Sequence, residues 1–206
     1  MTAKAAAKTE AKTLGRPRAF NEDEALDRAL NLFWEKGYEG TSLADLTSSL
    51  GINKPSLYAA FGNKEALFYK ALQRYASGPA AYTMQALNEP TARQVVEKLL
   101  RASAELLTHA DNPQSCLIVS GALAGSTASH PVRDKLAEYR NAYLEALSQR
   151  FRRAQAEGDL PPDCDAAMLA RYVATVHQGM SVQASSGATR LQLHEVVDFV
   201  LRQWPR

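Results

Sequence analysis

The chain has 206 residues, 46% of them apolar and 22% charged, which is enough for a sizeable core in one large domain or two modest ones. Two cysteines, Cys116 and Cys164, are too few for a disulfide framework, and the longest apolar run, "CLIVSGALAG", is about half a spanning helix, so a soluble chain of a reducing cytoplasm is expected. The net charge of +2 is too small to indicate nucleic acid by itself, so such a reading depends on where the charge sits.

Residues 1–20 read as a disordered basic arm. Lys4, Lys8, Lys12, Arg16 and Arg18 face one acid, Glu10, a local charge of +4. The opening stretch lacks the apolar run of a secretory signal. A helix is predicted from Asn21, which stands in capping-box spacing with Glu24; Leu26, Ala29, Leu30 and Phe33 follow at helical period and Gly37 ends it. "TSLADLTSSLG" predicts a second, shorter helix, capped by Thr41 or Ser42, with Leu43, Leu46 and Leu50 inward and Gly51 as its stop. Pro55 falls in the first turn of a third helix, where its missing N–H costs nothing. Leu57 and Phe61 share that helix's inner face, and Gly62 and Asn63 punctuate the entry to a fourth, with Leu67, Phe68, Ala71 and Leu72 inward. From residue 91 every segment reads helical, with breaks at "DNP", at Gly158 and at Pro161. No segment alternates at period two, so the expectation is an all-α fold of about nine helices.

Helix, sharp turn and short helix from Thr41 to Phe61 have the size of a helix-turn-helix. Only the first turn of such a second helix enters the major groove, so a short one suffices. Its outer face offers Asn53, Lys54, Pro55, Ser56 and Tyr58. The Tyr58 hydroxyl is suited to a phosphate, and Lys64 adds its charge to the free N–H groups of the next helix. Thr41 and Ser42 are caps first, and one of them is a candidate phosphate contact. "GRPR", carrying Arg16 and Arg18, is the core of minor-groove arms, although a solvated tail explains it equally well.

The ordered set "FWEKGYEGTS", "LADLTSSLGI" and "NKPSLYAAFGNKEAL" resembles the N-terminal domain of TetR-family transcriptional regulators over residues 15 to about 72. The resemblance implies a DNA-binding domain, here 21–63, followed by a larger helical domain, 64–206, for ligand binding and dimerisation. It implies a homodimer on a palindromic double-stranded DNA operator, most often as a repressor released by a small effector. Ala59 and Ala60 depart from the family pattern, standing where many members carry histidine or an aromatic.

The expected dimer seam is the pair 163–185 and 189–204, through Leu169, Val173, Val176, Val196, Val197, Val200 and Trp204. Pocket candidates are Leu106, Cys116, Val119, Leu123, Tyr143, Leu147, Tyr172, Val176 and Met180, each of which plain core would explain as well. Their low charge implies an apolar or aromatic effector. Cys116 reads as a small buried hydrophobe, with a thiol sensor as the sharper alternative. His109, His130, His177 and His194 form no metal spacing, and no catalytic fingerprint appears, so neither cofactor, metal nor enzymatic activity is expected. Two rival readings are an architectural DNA binder without an effector and an all-α enzyme on a borrowed fold.

Overall fold

The computed structural model describes residues 21–121 and 129–205, and all regular structure among them is helical. In chain order these are α1 (Glu22–Gly40), α2 (Leu43–Leu50), α3 (Lys54–Phe61), α4 (Lys64–Ser77), α5 (Tyr82–Gln85), a 3-10 turn (Ala86–Asn88), α6 (Ala92–Thr108), α7 (Leu117–Ser120), α8 (His130–Ala156), α9 (Ala166–Ser185) and α10 (Arg190–Arg202). Ten α-helices stand where about nine were expected. The short α5 and its 3-10 turn carry no periodic pattern long enough to read. The arm 1–20, with Arg16 and Arg18, and Leu123 lie outside the described residues.

Capping explains most helix starts. The Asn21 carboxamide oxygen accepts from the backbone N–H groups of Asp23 and Glu24, and its amide donates to Glu24 at 3.0 Å. Asn53 and Asn63 cap α3 and α4 the same way, and Thr91 and Thr189 form capping boxes with Gln94 and Gln192. Each cap satisfies donors that no helical carbonyl reaches.

Two apolar clusters divide the fold. The first joins α1–α4 through Phe33, Leu46, Leu57, Phe68 and Leu72, and extends to Leu117 of α7 and Leu136 of α8. Phe33 and Tyr38 meet the Phe68 ring edge-on at 5.1 and 5.2 Å. Arg74 grips Asp27 with a two-pronged contact and adds Asp23 at 3.1 Å, aligning α4 on α1. The second cluster joins α6, α8, α9 and α10 through Leu99, Leu107, Phe151, Val173 and Val197. Buried Arg150 braces it against the 3-10 turn, donating to the carbonyls of Leu87, Glu89 and Pro90.

The clusters share Cys116, on a segment that runs beside a break in α1. Gly37 has φ 70° and ψ 177°, a region essentially confined to glycine, so the helix ends there as its sequence predicts, and one further turn follows. In an unbroken helix the Tyr38 N–H would donate to the Trp34 carbonyl. Here the strap Ser115–Gly121 takes both ends of that lost bond. Tyr38 N–H donates to the Gly121 carbonyl at 2.9 Å, and the Ser115 hydroxyl donates to the Trp34 carbonyl at 3.3 Å. The Trp34 indole N–H adds a bond to the Ser115 carbonyl at 2.7 Å.

Gly37→Ala tests this break. An alanine Cβ would stand 3.1 Å from the Gly121 oxygen on a backbone that side chains avoid. The variant is expected to lose about 1–3 kcal/mol in denaturant unfolding. An unchanged midpoint and slope would mean that α1 can end there without glycine.

Candidate nucleic-acid interface and internal cavity

The α2–α3 turn is built for presentation. Ser42 caps α2 in a capping box with Asp45; the Ser42 hydroxyl and backbone N–H, with Lys36 behind them, hold the Asp45 carboxyl down at about 2. Gly51 turns the chain through φ 69° and places Asn53 at the start of α3. Leu57 and Phe61 are buried beneath α3, and this anchoring turns Lys54, Pro55, Ser56 and Tyr58 to solvent. Tyr58 is 41% exposed, with the Lys54 ammonium 5.8 Å from its ring centre. Lys64 rests on the Tyr38 ring at 4.3 Å, and partial burial lowers its ammonium pKa while Glu39 opposes that shift.

Thr41 is corrected. It is fully buried, and its hydroxyl donates to the Gly37 carbonyl at 2.7 Å, so it neither caps α2 nor reaches a phosphate. It closes the turn after the α1 break instead. Ser42 keeps its exposed place and does the capping.

A cavity with about 410 Å³ of free space, counted out to its mouth, lies between the two clusters. Cys116, Ile118 and Val119 of the strap form one wall; Tyr139, Arg140 and Tyr143 of α8, His177 and Gln178 of α9, and Ala80, Tyr82 and Thr83 around α5 form the others. The Tyr82 hydroxyl and His177 Nε2 are 2.9 Å apart, and the rings of Tyr82 and Tyr143 flank the imidazole at 5.9 and 5.5 Å. Burial pushes His177 down to about 4, so it is neutral at pH 7. Burial likewise raises the phenols of Tyr82 and Tyr143 and the Cys116 thiol. A raised thiol is the opposite of the depressed one that a reactive sensor needs.

Of the expected pocket residues, Cys116, Val119 and Tyr143 line this cavity. Leu147 and Met180 are core instead, Val176 packs on that core and Leu106 on the other cluster. Tyr172 is 42% exposed on the outer face of α9, away from the cavity. The Tyr82–His177 pair was missed because its members lie 95 positions apart and share no local spacing.

The dimer reading also shifts. Of its seven residues only Val196 is exposed; Val173, Val197, Val200 and Trp204 are buried within one chain, and Leu169 and Val176 pack against that core. Helices α6 and α8 cover them. The apolar side chains left in water are Met168, Tyr172 and Val182 on α9, and Leu191, Val196 and Phe199 on α10. Glycine Gly179 sits open within the α9 stripe.

Comparison with known proteins agrees with this plan. A family model described as bacterial regulatory proteins, tetR family, matches residues 25–71, and one described as tetracyclin repressor-like, C-terminal domain, matches 92–199. The HTH-type transcriptional repressor ComR of Escherichia coli (strain K12) is 38% identical over 197 residues, covering 94% of this chain and 93% of its own length. The HTH-type regulator YezE of Bacillus subtilis (strain 168) is 31% identical over 194 residues, covering 91% and 98%. A solved structure of the TetR family transcriptional regulator CifR, a cysteine mutant complexed with 26-bp double-strand operator DNA, aligns at a TM-score of 0.88 with 46% identity, covering 92% of this chain and all of that one.

Two outcomes follow from this geometry. Lys54→Ala is expected to weaken DNA binding and, if it meets phosphate, to reduce the slope of log affinity against log salt by roughly one unit; Tyr58→Phe, which removes a neutral donor, weakens binding with its slope unchanged. Anisotropy titrations at several salt concentrations check this, and undiminished affinity in both variants contradicts it. The second outcome concerns His177, whose pKa is lower folded than unfolded, so the unfolded chain binds the extra proton. Its contribution is therefore intact above about 6.5 and is lost as pH falls toward about 4, on the order of 3 kcal/mol. His177→Gln should flatten that part of the stability profile; an unaltered profile contradicts the buried neutral imidazole.

Proposed function

The chain belongs to the TetR family of bacterial transcriptional regulators, and on that premise we propose that it is a repressor. It grips a palindromic operator as a homodimer and releases it when a small apolar or aromatic effector fills the internal cavity. In this reading residues 1–20 are a basic arm, 21–63 the DNA-binding domain, and 64–206 the effector and dimerisation domain.

The observation that carries DNA binding is α3. It is too short to need packing on more than one face, its two large apolar residues are buried, and its first turn offers Lys54, Pro55, Ser56 and Tyr58 to solvent. That turn meets base edges and phosphates in a major groove. Two recognition helices about one DNA turn apart, ~34 Å, are needed to read a palindrome, which makes the dimer part of the mechanism. The exposed stripes Met168–Tyr172–Val182 and Val196–Phe199 supply the apolar seam, and Gly179 lets the two backbones come close.

Release follows from the strap. Cys116, Ile118 and Val119 face the cavity, while the carbonyls of Ser115 and Gly121 hold Trp34 and Tyr38 of α1. The Tyr38 ring in turn carries Lys64. A ligand that pushes the strap moves the end of α1 and the lysine beside the DNA backbone. Such a ligand favours a state with altered spacing between recognition helices, and the factor by which effector lowers operator affinity equals the factor by which operator lowers effector affinity. The cavity is also what favours this reading over an architectural DNA binder.

The test uses the duplex next to the chain's own coding region. An inverted repeat there should be bound at nanomolar or tighter Kd and released in the presence of a cavity ligand. Tyr172→Glu combined with Phe199→Glu should yield folded monomers by sedimentation and cut operator affinity by at least a hundredfold. A native protein that is monomeric at micromolar concentration, or a double variant that remains dimeric, contradicts the seam.

A further inference from the structure

The cavity wall holds a polar atom without a partner. The Tyr143 hydroxyl oxygen is buried and has no hydrogen-bond partner among the described residues. The neighbouring Tyr82 oxygen is already engaged with His177 at 2.9 Å, and Ser103 lies beside it. A buried O–H donor without an acceptor costs the desolvation of that group. Native proteins rarely leave such a group without a partner. The Tyr143 side chain lines the cavity while its hydroxyl is closed off from water, so an occupant of the cavity that displaces the groups over it is the source left for the missing acceptor.

Charge narrows the class. His177 is held neutral by burial, and the surrounding phenols and thiol are held protonated. Among the described residues no carboxylate lines the cavity to neutralise a bound cation. Among the described lining residues the one formal charge is Arg140, one of whose guanidinium N–H groups braces the strap by donating to the Ile118 carbonyl at 2.7 Å. The remaining wall is apolar or aromatic, including Ala80, Ile118, Val119 and Tyr139. The free space is about 410 Å³ only when counted out to the open mouth, so the occupant is small.

We propose that this cavity takes a small uncharged molecule with an apolar or aromatic body and one oxygen acceptor, a carbonyl or an ether, which accepts the hydrogen of the Tyr143 hydroxyl. The inference rests on the reading of this cavity as the effector site and adds the chemical class of the effector. The Tyr143 phenol selects for oxygen, the aromatic box around His177 selects for an apolar body, the lack of a carboxylate among the described lining residues selects against cations, and Arg140, tied to the strap, is the group that an anion would have to recruit.

The experiment compares acetophenone, isopropylbenzene and benzoate, three probes of similar size that differ in the oxygen and the charge. Binding is measured by calorimetry on the DNA-free full chain and on Tyr143→Phe. Acetophenone is expected to bind at least tenfold more tightly than the other two. Tyr143→Phe should weaken acetophenone by on the order of tenfold, bring it near isopropylbenzene, and leave the melting temperature unchanged or higher, since the orphan hydroxyl is gone. Benzoate binding most tightly would place an anion on Arg140 and overturn the class. So would equal affinity for acetophenone and isopropylbenzene, an unaffected Tyr143→Phe, or no binding by any probe. Operator titrations separate this outcome from the effector reading. Benzoate that binds and releases DNA overturns the class and keeps the effector site. Acetophenone that binds without altering operator affinity keeps the class and overturns the effector site.

Discussion

The bond from the Tyr38 N–H to the Gly121 carbonyl exists because α1 breaks at Gly37, and most of the functional geometry hangs from it. A helix that continued would have satisfied Tyr38 internally and left the strap holding α1 through the Trp34 indole and apolar contact. The break frees one donor and one acceptor, and the strap Ser115–Gly121 supplies a partner for each. Thr41 closes the same turn with its buried hydroxyl, so the entry into the helix-turn-helix is fixed by hydrogen bonds rather than by apolar contact alone.

The strap is tied on three further sides. Cys116 N–H donates to the Ser181 hydroxyl of α9 at 2.9 Å, Arg140 of α8 donates to the Ile118 carbonyl, and Leu117 is fully buried with the α1–α4 core. A segment of seven residues therefore touches both apolar clusters and forms a cavity wall. It has few alternatives that preserve all these bonds, which is the condition under which a small displacement is passed on rather than absorbed. Tyr38 extends the path, its backbone on the strap and its ring beneath Lys64.

Legibility in the sequence followed the range of the interactions. Asn21, Asn53, Asn63, Gly51 and Pro55 act within one turn of their own position, and the N-terminal helices were readable from them. Thr41 was misread because a threonine before a helix looks like a cap, and its burial depends on the break four residues earlier. In α9 and α10 the periodicity gave the helices correctly but not which chain covers them. Val173, Val197 and Val200 turned out to be covered by the chain's own helices, leaving Met168, Tyr172 and Phe199 outside. The cavity was least legible, since Tyr82, Tyr143 and His177 converge from three helices and none stands in a local pattern.

Linkage offers a test of the strap that needs no effector: if strap and DNA-binding face are coupled, DNA must be felt at the cavity wall. Hydrogen–deuterium exchange with and without operator duplex measures this directly. The account predicts slower exchange at residues 42–64, its proposed DNA contact, together with a several-fold change at residues 115–121. In Trp34→Phe, which removes the indole bond to Ser115, the first effect should persist and the second should shrink. Protection confined to residues 42–64 in the native protein, with the strap unchanged, would contradict the coupling.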